Sequence, residues 1–429
     1  MDDRATIFAC STGAPPAAIA IVRVSGTAAF AVARALAGPL PSPRRATLRR
    51  LRDPGDDSLL DRALVLTFPG PRTSTGEDMV EFHVHGGRAV VAAVMAALAA
   101  LPARGLAELG EFTGRALTNA VIDLTAAEGL GDLLSAETET QRRAALRMAE
   151  GGLRTVIDGW TDRLIDVAAR IEAQLDFSDE DDVATETEVV IVDDIAAIAT
   201  EIAVLLRSPP VERLRDGVRV VIAGPPNSGK STLLNTLSGR DVAIVSPLAG
   251  TTRDRIEAPL SRAGIAYLLT DTAGLTVTPG DAIERIGIDR AEQAVAAADL
   301  VLWLGDGPPA DASHLWIHSR ADLLDRRQMP AGRAVAISAS TGLGIPQLWI
   351  LVEQRAAALL PKADAIATNQ RQRILLGQCL AHLRAIVPSD LLIVAEEVRR
   401  ALRSLDAIAG RSGTEDVLDA IFARFCIGK

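Results

Sequence analysis

The 429-residue chain is poor in aromatic residues, at 3% of its length, although 48% of it is hydrophobic. Its cores must therefore be built from Ala, Leu, Val and Ile, and a chain of this length has room for two or three of them. Cysteine is scarce as well. Cys10, Cys379 and Cys426 are odd in number and far apart, which argues against a disulfide framework and predicts a reducing, cytoplasmic location. Long apolar runs are missing: the longest, Ala89 to Leu101, is closed by Pro102 and is too short to cross a bilayer. Met1-Asp2-Asp3 lacks the basic start of a signal peptide. Nor is there a surplus of positive charge. A formal net charge of −10 argues against broad nucleic-acid binding, so any RNA contact needs a local basic patch or a partner's surface.

What is present is concentrated in one place. Gly224-Pro225-Pro226-Asn227-Ser228-Gly229-Lys230-Ser231 directly follows the apolar run Val218-Arg219-Val220-Val221-Ile222-Ala223, the arrangement of a strand feeding a G-x-x-x-x-G-K-S phosphate loop. Gly224 and Gly229 let the backbone curl so that its N–H groups point inward, Lys230 reaches the outer phosphates, and Ser231 offers a hydroxyl to Mg²⁺. Thr232-Leu233-Leu234-Asn235-Thr236-Leu237 has helical spacing, which puts a helix N-terminus under the phosphates. The plain alternative is a Gly/Pro turn that happens to precede Lys. Strand, loop and helix signals together favour a nucleoside triphosphate.

Later segments separate GTP from ATP. Asp271-Thr272-Ala273-Gly274 follows the strand-like Ala266-Tyr267-Leu268-Leu269-Thr270, which puts Asp271 at a strand end, able to hold Mg²⁺ through water, and lets Gly274 approach a γ-phosphate. Thr251-Thr252-Arg253-Asp254, after Ser246-Pro247-Leu248-Ala249-Gly250, supplies a Thr hydroxyl or carbonyl for metal and γ-phosphate, with Thr252 as a second Mg²⁺ ligand; an ordinary loop is the other reading. Val301-Leu302-Trp303-Leu304 reads as a buried strand. Ser319-Arg320-Ala321-Asp322 stands where a guanine reader would, and Ala334-Val335-Ala336-Ile337 leads into Ser338-Ala339-Ser340-Thr341-Gly342. Asp322 would accept two N–H bonds from guanine. The GTP contacts are thus expected from Asn227 to Thr232, Ser246, Thr251, Thr252, Asp271 to Gly274, Ser319, Arg320, Asp322, Ser338 and Ala339. In this order the segments resemble the translation-factor branch of GTPases.

The rest of the chain narrows the resemblance. Gly250-Thr251-Thr252-Arg253-Asp254, the run Pro69-Gly70-Pro71-Arg72-Thr73-Ser74-Thr75-Gly76-Glu77-Asp78-Met79-Val80-Glu81, His85-Gly86-Gly87, and the terminal Cys426-Ile427-Gly428-Lys429 together resemble the MnmE (TrmE) family of bacterial tRNA modification GTPases. Gly110-Glu111-Phe112-Thr113-Gly114-Arg115-Ala116, Asp123-Leu124-Thr125-Ala126-Ala127-Glu128 and Ile171-Glu172-Ala173-Gln174-Leu175-Asp176-Phe177 extend it over essentially the whole chain. The resemblance implies a K⁺-stimulated, Mg²⁺-dependent GTPase that works as a homodimer with tRNA and the FAD-containing partner MnmG (GidA), away from any membrane. Its reaction would place an aminomethyl-type group on C5 of the wobble uridine, position 34, of certain tRNAs.

Individual residues inherit expectations. Leu275, after Gly274, cannot orient a water; the resemblance places that task on Glu284, in Glu284-Arg285-Ile286-Gly287, which could otherwise cap a helix or pair with Arg285. Asn227, with backbone carbonyls of Ser246, Leu248 and Thr251, would cage K⁺; Arg253 or Arg255 as an arginine finger is the alternative. The family's guanine motif is Asn-Lys-x-Asp. Ser319 and Arg320 depart from it, which predicts loss of a clamp between loops and weaker guanine affinity, with GTP still preferred over ATP. A 5-formyl-tetrahydrofolate-type ligand is implied at Arg23, Glu81 and Lys429, although Val121 replaces a family Lys and Pro15-Pro16-Ala17-Ala18 replaces a Gly-Arg-Gly-Gly turn. His83 and His85 share a strand face but lack a third ligand, so packing or polar lining is favoured over a metal. Cys426 is a site candidate, either a buried thiol or a tail nucleophile of lowered pKa. Lys230 and Glu284 are the catalytic candidates beside it.

The expected fold is multidomain. Residues 1–118 form an α+β, tetrahydrofolate-binding-like domain with strands at Ala17–Val24, Ala63–Phe68 and Met79–Val84, a helix at Arg88–Leu101, and a Pro/Arg-rich loop from Gly38 to Arg52. Residues 119–216 and 363–429 form a split, all-α helical domain, read from spacing such as Leu164, Val167, Ala168 and Ile171. A Ras-like α/β P-loop GTPase domain, 217–362, is inserted between its halves. The acidic run Asp179-Glu180-Asp181-Asp182 reads as a solvated junction rather than a metal site. Two other functions stay open: a regulatory ribosome-assembly GTPase, which would carry a basic RNA-binding domain, and a folate-binding protein with a degenerate GTPase module.

Overall fold

A computed structural model describes residues 6–101, 104–176, 184–239, 257–272, 292–362, 365–387, 390–411 and 428. The chain divides into two compact units, Met1–Gly131 with Asp406–Lys429, and Asp132–Leu405. Among the described residues no helix is long and apolar enough to cross a membrane.

In the first unit, β1 (Thr6–Cys10), β2 (Ile19–Ser25), β3 (Thr47–Arg52), β4 (Leu59–Phe68), β5 (Met79–His85) and β6 (Arg104–Leu106) form one sheet in the order β3-β4-β5-β2-β1-β6. Alternation decides its two faces. Ala20, Val22 and Val24 of β2 and Val80, Phe82 and Val84 of β5 are buried against α1 (Ala29–Ala37) and α2 (Arg88–Ala99). Glu81 and His83 of β5, and Arg23 of β2, are left on the opposite face. Val32, Ala33 and Leu36 of α1 and Val91, Val94 and Leu98 of α2 supply the helical side of this core, at the spacing of a single helix stripe. α3 (Glu111–Thr118) and α4 (Leu124–Ser135) follow.

The segment expected as a loop from Gly38 to Arg52 is a loop only in its first part. Thr47–Arg52 is β3, paired antiparallel with β4. Its pattern is hidden because it is an edge strand carrying Arg49, Arg50 and Arg52, and charge on an edge blocks further pairing at the expense of the apolar signal. β1, β6 and α1, of five, three and nine residues, are too short or too rich in alanine to carry a clear sequence signal.

In the second unit, α5 (Glu139–Ala149), α6 (Gly152–Asp176), α7 (Ala184–Arg207) and α8 (Glu212–Arg215) precede a second sheet. Thr138 and Gln141 form a capping box at the start of α5, satisfying two N–H groups that a helix end leaves bare. The Gln141 amide then donates to the carbonyls of Leu214 (2.9 Å) and Arg215 (3.2 Å), tying α5 to α8. Both groups are thereby used inside the packed interior.

The second sheet comprises β7 (Val218–Ala223), β8 (Glu257–Arg262), β9 (Ile265–Asp271), β10 (Leu300–Trp303), β11 (Leu315–His318) and β12 (Val335–Ala336), in the order β12-β11-β10-β7-β9-β8. Every pairing is parallel except β8 with β9. That hairpin turns through Ala263 and Gly264, both at positive φ (50° and 78°), as a two-residue turn matching strand twist requires. Val220, Ile222, Leu269, Leu302 and Ile317 pack with Leu233 and Leu237 of α9 (Lys230–Ser238) and with Leu348 and Val352 of α10 (Ile345–Leu359). Burial on both faces is why these strands read as continuous apolar runs. β7 lies between β10 and β9, so the strand order reverses there, and such a switch point leaves a crevice at the strand's carboxyl end.

α11 (Gln370–Ala385) and α12 (Leu391–Ala409) close the described chain. Arg373 of α11 donates to the carbonyls of Leu206 (2.6 Å) and Ser208 (2.9 Å), and the Val211 amide donates to the Thr368 carbonyl (3.1 Å). The chain thus returns from the sheet to the place where it entered it.

Candidate nucleotide-binding site

β7 ends at Ala223, and the next residue, Gly224, has φ +151°. A Cβ there would stand 3.1 Å from Ser228 Oγ and 3.3 Å from the Gly305 amide nitrogen, so both conformation and space require glycine. Gly229, at φ +97°, caps α9. Asn227 sits at φ +59°, a left-handed conformation that Asn tolerates better than most side chains. α9 then begins at Lys230, and its first N–H groups have no intrahelical acceptors.

These residues open onto a cavity of about 500 Å³. Asn227, Ser228, Gly229, Lys230, Ser231 and Thr232 line one side, and Ser319, Arg320, Asp322, Ala339 and Ser340 line the other, with Leu304, Leu323 and Ile337 as apolar wall. Segments some ninety positions apart therefore share one crevice. Ser340 and Leu323 were not singled out from sequence; Ser340 lies inside the Ser338-to-Gly342 segment that was.

Lys230 is buried at 6% exposure, and its ammonium donates to the carbonyls of Gly224 and Pro225, both at 2.9 Å. Desolvation lowers its pKa from the ordinary lysine value, and the negative charge of Asp271 partly offsets this. The Ser231 hydroxyl donates to Asp271 Oδ2 at 2.5 Å. A hydroxyl on the cavity wall and the buried carboxylate oxygen bonded to it are the hard oxygen donors Mg²⁺ prefers. Thr272 is anchored through its hydroxyl to the Ile222 carbonyl (3.0 Å), which fixes the strand end that carries Asp271.

On the far side, the buried Ser319 donates from Oγ to the Ser228 carbonyl at 3.0 Å. The expectation that replacing Asn by Ser here removes the clamp between loops is therefore corrected: the shorter side chain still bridges the loops, because the two backbones approach closely enough for a hydroxyl to span them. Asp322 is exposed to the cavity. Hydrogen bonding from the Ser338 hydroxyl holds its carboxyl below the ordinary aspartate value, with Ser340 and Arg320 adding to the effect. Ser338 is fully buried and pairs with Ser340 (3.0 Å). The Ala339 carbonyl accepts from Thr236 of α9 (2.9 Å), locking this loop to the helix under the cavity.

Ser246, Leu248, Thr251, Thr252, Ala273, Gly274, Glu284, Cys426 and Lys429 lie outside the described residues, as do Arg253 and Arg255. In the first unit Arg23 and Glu81 stand opposite each other on β2 and β5 and pair at 2.9 Å. The Arg23 guanidinium lies 5.7 Å from the Phe112 ring centre. His83 contacts Glu81 (3.2 Å) and His85 contacts Asp61 (2.8 Å). Val121, 39% exposed, adds no charge.

A glycine-rich loop at the switch point of a mostly parallel sheet, opening a helix and ending in a buried Lys and a Ser beside an Asp, defines a P-loop nucleotide-binding protein. Models of two families match the chain: the MnmE helical domain over residues 124–426 and the GTP-binding protein TrmE N-terminus over residues 6–120. The tRNA modification GTPase MnmE of Rhizorhabdus wittichii is 54% identical over 99% of this chain and 96% of its own length. That of Erythrobacter litoralis is 51% identical over 99% and 100%. The chain belongs to the MnmE family of tRNA modification GTPases. Among solved structures, the G domain of the T. maritima FeoB iron transporter is 23% identical over 32% of this chain and 98% of its own, with a TM-score of 0.24.

Proposed function

We propose that this protein hydrolyses GTP with Mg²⁺ and K⁺ and, as a cytoplasmic homodimer with the FAD-containing partner MnmG, modifies C5 of the wobble uridine of certain tRNAs with an aminomethyl-type group. The observation that carries this reading is the single cavity shared by the phosphate loop and Asp322. One side suits phosphates and the other suits a base that presents adjacent N–H donors. Family membership, with relatives named for tRNA modification, supplies the RNA substrate. The net charge of −10 and a first unit matching the TrmE N-terminus weigh against a ribosome-assembly GTPase.

Ser231 and Thr252 would be the protein ligands of Mg²⁺, with Asp271 holding it through water. Asn227 lines the cavity, and its neutral side-chain oxygen suits a monovalent cation, with carbonyls of Ser246, Leu248 and Thr251 as the remaining ligands. A cation there would supply positive charge against the charge that builds on the phosphates in the transition state. Glu81 would accept pterin N–H bonds of a folate and Arg23, 2.9 Å away, an anionic group beside them, with Lys429 as a further contact. The helical domain split as 119–216 and 363–429 around a GTPase domain, 217–362, draws support from the Arg373 and Val211 bonds that join the two flanks.

Steady-state hydrolysis of GTP and ATP in K⁺ and in Na⁺ tests the reading. Strong K⁺ stimulation confined to GTP is expected; slow hydrolysis indifferent to both cation and base would move the assignment to a folate-binding protein with a degenerate GTPase module. For Glu284→Ala, GTP affinity should stay within about twofold while turnover falls about 10²-fold or more, the range in which general acid–base and water-orienting groups act. Unchanged turnover would remove Glu284 from the mechanism.

A further inference from the structure

The Ser319-to-Asp322 loop on the far wall of the cavity is tied to the segment after β12 through the Ala321 amide, which donates to the Ile337 carbonyl at 2.9 Å, and through Asp322, which accepts from Ser340 at 3.4 Å. Arg320 lies at φ +56°, a conformation that must be held from outside in a residue other than glycine. Ser319 offers one hydroxyl, already spent on the Ser228 carbonyl. A second anchor comes from Arg326. Its Nε donates to the Ser319 carbonyl at 2.9 Å, while its two Nη groups grip Asp306 at 2.7 and 3.3 Å. The Arg326 carbonyl is 2.7 Å from Nε2 of the buried His318. Asp306 is itself fixed: Arg333 donates to its carbonyl at 2.8 Å and to those of Gly305 (3.1 Å) and Ile317 (3.0 Å). Arg333 also stacks 4.5 Å from the Trp316 ring centre.

We propose that Arg326, braced by Asp306, is a positioning residue for base recognition: it holds the Ser319-to-Asp322 loop in register with the phosphate loop and thereby sets the preference for guanine. The inference rests on the GTP reading above. A guanidinium bound through all three of its nitrogens has little freedom to swing, so the carbonyl it holds is fixed relative to the loop after β10. Three bonds in series, Asp306 to Arg326 to Ser319 to Ser228, then connect that loop to the phosphate loop across the base pocket. Arg326 does not line the cavity, so its influence on the base passes through Ser319 and the neighbouring backbone. The sequence signal was present as an Arg seven residues beyond Ser319, but nothing in its spacing distinguishes it from Arg327 beside it.

The test uses the full chain and three nucleotides, GTP, inosine triphosphate and ATP. Inosine lacks the 2-amino group of guanine, so the ratio of its Kd to that of GTP isolates one bond to Asp322 from the shared phosphate contacts. In Arg326→Gln this ratio should fall at least about threefold, and Asp306→Asn should lower it in the same direction by less. The Asp306 side chain is 71% exposed against 13% for Arg326, so the Asp306 variant keeps the test open if the Arg326 variant folds poorly. A uniform loss of affinity for all three nucleotides with an unchanged ratio in both variants would show a merely structural role and overturn the proposal, leaving the GTP reading intact. A wild-type protein that binds GTP, inosine triphosphate and ATP equally would overturn the guanine reading and this proposal with it.

Discussion

Replacing Lys230 by alanine is expected to lower GTP turnover by about 10²–10³-fold, the usual loss when one preorganised donor to developing negative charge is removed. The side chain is buried at the mouth of α9 and already desolvated, with its ammonium resting on two loop carbonyls. Its desolvation is thus met by folding rather than at the moment of reaction. Phosphate oxygens entering the cavity would draw it off those carbonyls, exchanging two neutral acceptors for charged ones. Stability should change little, because Gly224 is only half-buried and Pro225 is exposed, so water can replace the lost donor at their carbonyls. Lys230→Arg should fail almost as fully, since a planar fork does not fit the space of a compact ammonium. Steady-state turnover, affinity for a non-hydrolysable GTP analogue and thermal melting decide the matter. A fall in turnover of less than tenfold in the alanine variant would mean that Lys230 does not touch the transferred phosphate.

Asp322→Asn should convert the base preference from guanine to xanthine. Guanine presents N1–H and the 2-amino group side by side, and a carboxylate accepts from both; an amide offers only one acceptor and turns a donor toward the amino group. Xanthine carries an oxygen at that position, which the amide donor can meet. One bond to a charged group is worth about tenfold to a hundredfold in affinity, so GTP binding should weaken by that factor while xanthosine triphosphate binding improves. Because Ser338 depresses the Asp322 pKa, the wild-type carboxylate stays ionised well below neutrality. GTP affinity should therefore show no Asp322 titration between about pH 6 and 8, and should decline only as acid protonates the group. Competition binding of the two nucleotides to both proteins reads the outcome; an unaltered preference would remove Asp322 from the base contact.

Much of this was legible in the order of residues. The phosphate loop is local: the positive φ of Gly224 and Gly229, the apolar run before them and the helical spacing after them lie within some twenty consecutive positions. Backbone permissiveness and side-chain period act over that same range. The apolar strands β7, β9 and β10 were readable for a related reason, since burial on both faces leaves no polar position to confuse the pattern. β3 was not, because its edge position filled it with arginines. β8 was not, because its Pro259 and alternating exposed residues carry little apolar signal.

The amino-acid order by itself thus determined the kind of loop, the class of ligand and the family. Only the tertiary structure decided which distant groups meet: Ser231 with Asp271, 40 positions apart, Ser319 with Ser228, 91 apart, and Arg326 with Asp306, 20 apart. Each of these pairs is brought together by the parallel sheet, whose crossovers carry successive strand ends to one crevice. A short hydroxyl can take the place of a longer amide between two loops only when their backbones lie close, and that distance is a property of the packed sheet.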